Sequence, residues 1–137
     1  MTTAQRLKGI LIAYLTEQRP DADISVIDAK QRETPTVPAL AVSVPGVTPH
    51  SEALYNVERC DVEMVLRVHA GDEDDIDIDA WIDDLESALN DPSAITSLGD
   101  ETTLHIYHWV YNGSTQDFSD AYIDTTFSAE CLVTRGN

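Results

Sequence analysis

Apolar residues recur near the start of the chain at three- and four-residue spacing: Leu7, Ile10, Leu11, Tyr14 and Leu15. That spacing lays one apolar stripe along a helix predicted over about residues 4–17. Thr2 or Thr3 can supply the side-chain oxygen that caps its first turn. The segment QRPDAD ends it, because a residue preceding proline avoids helical torsions and aspartate forms local turns. A short strand is predicted at ISVIDA and a longer one at VPALAVSV. In the second, Leu40, Val42 and Val44 share one face, Ala39, Ala41 and Ser43 the other, and Pro35, Pro38 and Pro45 bracket the strand. Residues 45–58, PGVTPHSEALYNVE, hold no sustained period and two prolines, which predicts a long connection or irregular hairpin.

From Cys60 the pattern becomes regular. Val62, Met64, Leu66 and Val68 alternate with Asp61, Glu63, Val65, Arg67 and His69, as a strand with one buried face requires. Ile78, Trp81, Ile82, Leu85, Ala88 and Leu89 then return to helical spacing, with Asp79, Asp83, Asp84 and Glu86 mostly on the other side, and the helix is expected to end at Asn90 before DPS. The last third predicts two strands, TTLHIYHWVY and AYIDTTFSAECLV, joined by NGSTQDFSD. In the second, Ala121, Ile123, Thr125, Phe127, Ala129, Cys131 and Val133 form an apolar face. The order defines a single α+β domain over residues 1–137, an antiparallel or mixed sheet of about five strands with two helices on one face.

Composition agrees with one core: 137 residues of which 42% are hydrophobic exclude a disordered chain. Charge adds a constraint that the pattern does not show. The net charge is −17, and residues 58–101 carry fifteen acids against two bases. Such a surface opposes binding to nucleic acid or to an anionic membrane. The run GILIAYL is too short to span a bilayer and lacks a signal-peptide cleavage pattern, so neither membrane nor secretion is expected. Cys60 and Cys131 make no disulfide framework and no C-x-x-C pair, which predicts two reduced, small apolar residues.

The acidic stretch GDEDDIDIDAWIDDLE raises the question of calcium. With Asp75 first, Asp77, Asp79, Ile82 and Glu86 fall at the third, fifth, eighth and twelfth positions of a helix–loop–helix calcium loop. The sixth position needs glycine for its sharp turn and is Ala80, and a strand-like segment precedes where an entering helix should be. A capped helix start, with Asp77 or Asp79 as the cap and negative charge near the positive end of the helix dipole, fits better. His105 and His108 would point to opposite faces of a regular strand, so no metal site is expected there. No G-x-S-x-G or phosphate-binding glycine loop occurs, so the chain is not expected to be an enzyme and no cofactor is implied. Tyr107, Trp109 and Tyr111 would line one strand face; without basic neighbours they suit a core or subunit contact rather than stacked bases.

The helix AQRLKGILIAYL, the proline-bounded strand TPTVPALAVSVPG, the strand-then-helix CDVEMVLRVHAGDEDDIDIDAWIDDLESAL and the closing DAYIDTTFSAECLV together resemble the tail terminator (tail completion) proteins of long-tailed bacteriophages. The resemblance implies a non-catalytic virion protein, assembled in the host cytoplasm, that forms a ring, commonly a hexamer, at the head-proximal end of the tail tube. Such a ring stops tube polymerisation, joins the tail to the head connector and leaves a channel for the genome, which passes without sequence-specific contact. A closed ring needs two different patches per subunit. The candidates are Leu54, Tyr55 and Val57 in the long connection and Phe118 in the 112–120 connection. An acidic helix facing the channel through Asp79, Asp83 and Asp84 would repel the DNA backbone. The alternative is an acidic protein that imitates DNA and occupies a basic nucleic-acid-binding partner.

Overall fold

The computed structural model describes residues 2–30, 36–49, 57–72, 77–99 and 104–135. Helix α1 (Thr3–Gln18) starts on a reciprocal cap: the Gln5 backbone N–H donates to Thr2 Oγ1 at 3.1 Å, and the Thr2 N–H donates to Gln5 Oε1 at 2.9 Å. Its stripe of Leu7, Leu11, Tyr14 and Leu15 is buried. Strands β1 (Ser25–Asp28), β2 (Ala39–Pro49) and β3 (Val57–His69) follow, then helices α2 (Ile78–Leu89) and α3 (Pro92–Thr96), then β4 (Leu104–Phe118) and β5 (Tyr122–Arg135). A single 3-10 turn, Ala70–Asp72, follows β3.

The five strands form one mixed sheet in the order β1-β2-β3-β5-β4. Only β1 and β2 run parallel; every other pairing is antiparallel. The α+β architecture is therefore as expected, with one addition. DPS ends α2 but also starts α3, because Asp91 accepts from the Ala94 N–H at 3.2 Å and Pro92 takes a first-turn position where its missing N–H costs nothing.

All the helices lie on one face of the sheet. There Val62, Met64, Leu66 and Val68 of β3 and Ile123, Phe127, Ala129, Cys131 and Val133 of β5 pack against Leu7, Leu11, Leu85, Leu89 and Ile95. Two hydrogen bonds add to the apolar contact, one joining α1 to α2 and one joining β4 to α2. Tyr14 Oη donates to the Ala88 carbonyl at 2.8 Å and Trp109 Nε1 donates to the Leu89 carbonyl at 2.7 Å. Both acceptors are end-of-helix carbonyls with no partner inside α2, so α1 and β4 complete its C-terminus.

Three boundaries differ from expectation, each for a physical reason. β2 runs through Pro45 to Pro49 rather than stopping, because a register shift between Ser43 and Gly46 spares proline from donating to the ladder. The proposed 45–58 connection thus loses 45–49 to β2 and 57–58 to β3, and residues 50–56 lie outside the described residues. β4 continues through residues 112–118, where a connection was expected, and the hairpin closes around Asp120 and Ala121. The Ser119 N–H donates to the Tyr122 carbonyl at 2.9 Å, and the Tyr122 N–H donates to Ser119 Oγ at 3.0 Å.

The expected Tyr107, Trp109 and Tyr111 face is also broken. His108 has φ of 54°, and the register shifts between Tyr107 and Val110. This bulge turns Trp109 inward beside Leu104 and Ile106 and leaves Tyr107 on the other side of the sheet.

Candidate functional site

Among the described residues every helix lies on one side, and none of them covers the second face of the sheet. Strand alternation brings Arg59, Asp61, Glu63, Val65, Arg67 and His69 of β3 to it, and Tyr122, Asp124, Thr126, Ser128, Glu130 and Leu132 of β5. The register sets Arg67 opposite Asp124, and the guanidinium grips both carboxylate oxygens at 2.8 Å. This hydrogen bonding raises the Arg67 pKa further above its ordinary value. The same guanidinium lies 4.4 Å from the centre of the Tyr122 ring, on which His69 stacks at 5.4 Å. Arg59 pairs with Glu130 and reaches Asp61 at 3.9 Å. On this face two arginines, Arg59 and Arg67, stand among four carboxylates, Asp61, Glu63, Asp124 and Glu130, so its acids are partly neutralised where those of α2 are not.

The bulge in β4 shapes the open face. His108, Val110, Arg59, Glu130, Cys131 and Leu132 line a hollow of about 380 Å³. Val110 is 47% exposed there, and Phe118, near the hairpin turn, is 66% exposed; they are the two large apolar residues exposed among those described. They lie eight positions apart on one strand, roughly 27 Å at the usual rise of an antiparallel strand. A subunit cannot cover its own hollow with its own Phe118 across that span.

A second hollow, about 590 Å³, opens between α2 and β4 and is lined by Asp83, Glu86, Ser87, Asn90 and Tyr111. Tyr111 Oη donates to Glu86 at 2.9 Å, and Ser114 Oγ lies 3.4 Å from the other carboxylate oxygen. Burial, then the hydrogen bond to the Glu86 carboxylate, pushes the Tyr111 pKa up to about 12.

Asp77 caps α2, its carboxylate accepting from the Ala80 N–H at 3.0 Å, so positions 78–89 are helix and cannot wrap a cation as a loop. Asp75 lies outside the described residues. The bulge corrects the expectation for the histidines: His105 and His108 both lie on the open side, because His108 takes the extra position in β4. Among the described residues no group of three or more His, Cys, Asp or Glu side chains could hold a metal ion. No helix among them is long and apolar enough to cross a membrane.

The predicted interface residues fare unequally. Leu54 and Tyr55 lie outside the described residues. Val57 opens β3 and is half-buried, and Phe118 ends β4 in the open rather than sitting in a connection. Asp79, Asp83 and Asp84 are exposed on α2, and none joins a salt bridge among the described residues. They belong to the helix layer, on the opposite side of the subunit from the hollow and the arginine pairs. Reading the sequence missed that hollow, because its cause is a backbone bulge with no distinctive residue to announce it.

A scan against models of known protein families finds no match, and a search of curated proteins finds none either.

Proposed function

We propose that this chain is a virion structural protein without catalytic activity, a tail terminator. Copies of it, six by resemblance, form a ring at the head-proximal end of the tail tube, stop tube polymerisation and join the tail to the head connector. The observation that carries this reading is a subunit with two unlike exposed apolar points, the Val110 hollow and Phe118, set too far apart on β4 to satisfy each other. Head-to-tail contacts that close into a ring need such a pair of different patches on each copy.

The two faces of the subunit divide the remaining roles. α2 and the open sheet face lie on opposite sides, so only one of them lines a channel. Phosphate repulsion favours the acidic side: Asp79, Asp83 and Asp84 toward the lumen would let DNA pass without sticking. The open face and the hairpin then meet neighbouring copies, the tube protein and the connector. Mixing the protein with polymerising tube protein and viewing the product by electron microscopy tests the assignment. Capped tubes support it. A monomer that ignores the tube and co-elutes with a basic DNA-binding protein supports the DNA-mimic alternative instead.

A further inference from the structure

β3 and β5 are the sheet's central antiparallel pair on one side of β2, and their register sets Cys60 directly opposite Cys131. Both side chains are on the helix-covered face, at 0% and 2% exposure, and both thiols are free. Directly opposed residues of an antiparallel pair have Cα atoms about 4.5–5.5 Å apart. A disulfide spans about 4.4–6.8 Å between Cα atoms, so the pair is within bridging range, and closure draws the two Cβ atoms about 1 Å closer than in an ordinary opposed pair. The facing thiols perturb one another: Cys131 lowers the Cys60 pKa, and Cys60, then burial, raises that of Cys131.

We propose that Cys60 and Cys131 form a redox site, a cross-strand dithiol that closes to an intramolecular disulfide by exchange with a small disulfide such as oxidised glutathione. The proposal is independent of the tail terminator assignment. In the first step the Cys60 thiolate attacks one sulfur of oxidised glutathione, forming a mixed disulfide and releasing one glutathione thiolate. Cys131 then loses its proton to solvent and attacks the Cys60 sulfur, and the second glutathione leaves. Two protein thiols are oxidised and one glutathione disulfide is reduced to two thiols. Because neither sulfur is exposed, exchange is fast while the strands are assembling and slow in the folded protein.

The link would tie strands separated by about 70 residues of chain, which restricts the unfolded state strongly and should raise Tm by about 10 °C. The test is to refold the full chain in a buffer of reduced and oxidised glutathione, quench with acid, alkylate under denaturing conditions and weigh the product. The expected result is a mass lower by two hydrogens, no alkylated cysteine, a cross-linked peptide pairing Cys60 with Cys131, and the higher Tm, reversed by a reductant. Cys60→Ala and Cys131→Ala should each lose all of these while keeping the Tm of the reduced wild type within a few degrees of their own. Two alkylated thiols, persistent glutathione adducts, a disulfide between molecules, or a Tm lowered by the link would each overturn the proposal. If the chain does not refold, the same mass measurement on native protein incubated warm with oxidised glutathione decides between the same outcomes.

Discussion

Tyr14 and Trp109 each spend their one polar hydrogen on a carbonyl at the end of α2. Removing either donor strands a buried carbonyl, so Tyr14→Phe and Trp109→Phe should each lower the free energy of unfolding by about 1–2 kcal/mol, measured by urea denaturation. Tyr111 acts through its proton as well as its ring. Its folded pKa, about 12, lies above the ordinary tyrosine value, so the unfolded chain releases that proton first. Its contribution is complete below about pH 10 and is lost as pH rises from about 10 to 12. Stability measured across that window should fall, and Tyr111→Phe should flatten the fall; an unchanged slope would contradict the Glu86 contact. Burial raises the Tyr14 pKa too, so its contribution fades in the same direction. Lys8 is a further buried polar group, held by Asp28 at 3.0 Å. The Asp28 carboxyl is kept below its ordinary value, first by the Lys30 backbone N–H and then by Lys8, so this stabilisation is present above the usual aspartate range and is lost as pH falls below it.

At the scale of elements, the strand and helix that obey a simple period could be read from sequence. β3 alternates because one of its faces is buried along its whole length, and α2 follows its stripe to Asn90 with Asp77 as its cap. β4 could not be read in this way, because it bulges twice. Asn112 and Gly113 look like a hairpin turn in sequence, yet Gly113, with φ of 107°, sits at the second register shift inside the strand. The actual turn, at Asp120 and Ala121, contains neither glycine nor asparagine. α3 was hidden for another reason: five residues are too few to show a helical period, and its proline also reads as a stop. The approach to β4 is tight. A side chain on Gly99 would place its first carbon 2.7 Å from the Leu104 carbonyl oxygen and 2.9 Å from the Ile106 nitrogen. Both are backbone atoms that cannot swing aside, so Gly99→Ala should cost about 2–3 kcal/mol in unfolding free energy. Phe118→Asp should behave in the opposite way. Its ring is already in water, so the fold should keep its stability within about 0.5 kcal/mol while assembly is lost.

For the whole molecule, the unequal spread of charge is the main organising fact. Residues 58–101 carry fifteen acids against two bases; Arg59 and Arg67 of β3 pair with Glu130 and Asp124 of β5, while Asp79, Asp83 and Asp84 on α2 join no salt bridge among the described residues. That division was half legible: the acidic helix showed in the sequence, but the arginine pairs needed the β3–β5 register to bring Arg67 to Asp124 and Arg59 to Glu130. Lysines in place of Asp79, Asp83 and Asp84 should slow genome passage in assembled particles if α2 faces the lumen, and unchanged ejection would place those acids elsewhere. The central claim, that this subunit builds a ring on a tail tube, is tested most directly by adding the purified protein to polymerising tube protein and imaging the product by electron microscopy. Tubes of arrested length, each carrying a ring of this protein at one end, are the predicted result. Tubes that grow unchanged, with the added protein left free in solution, would contradict it.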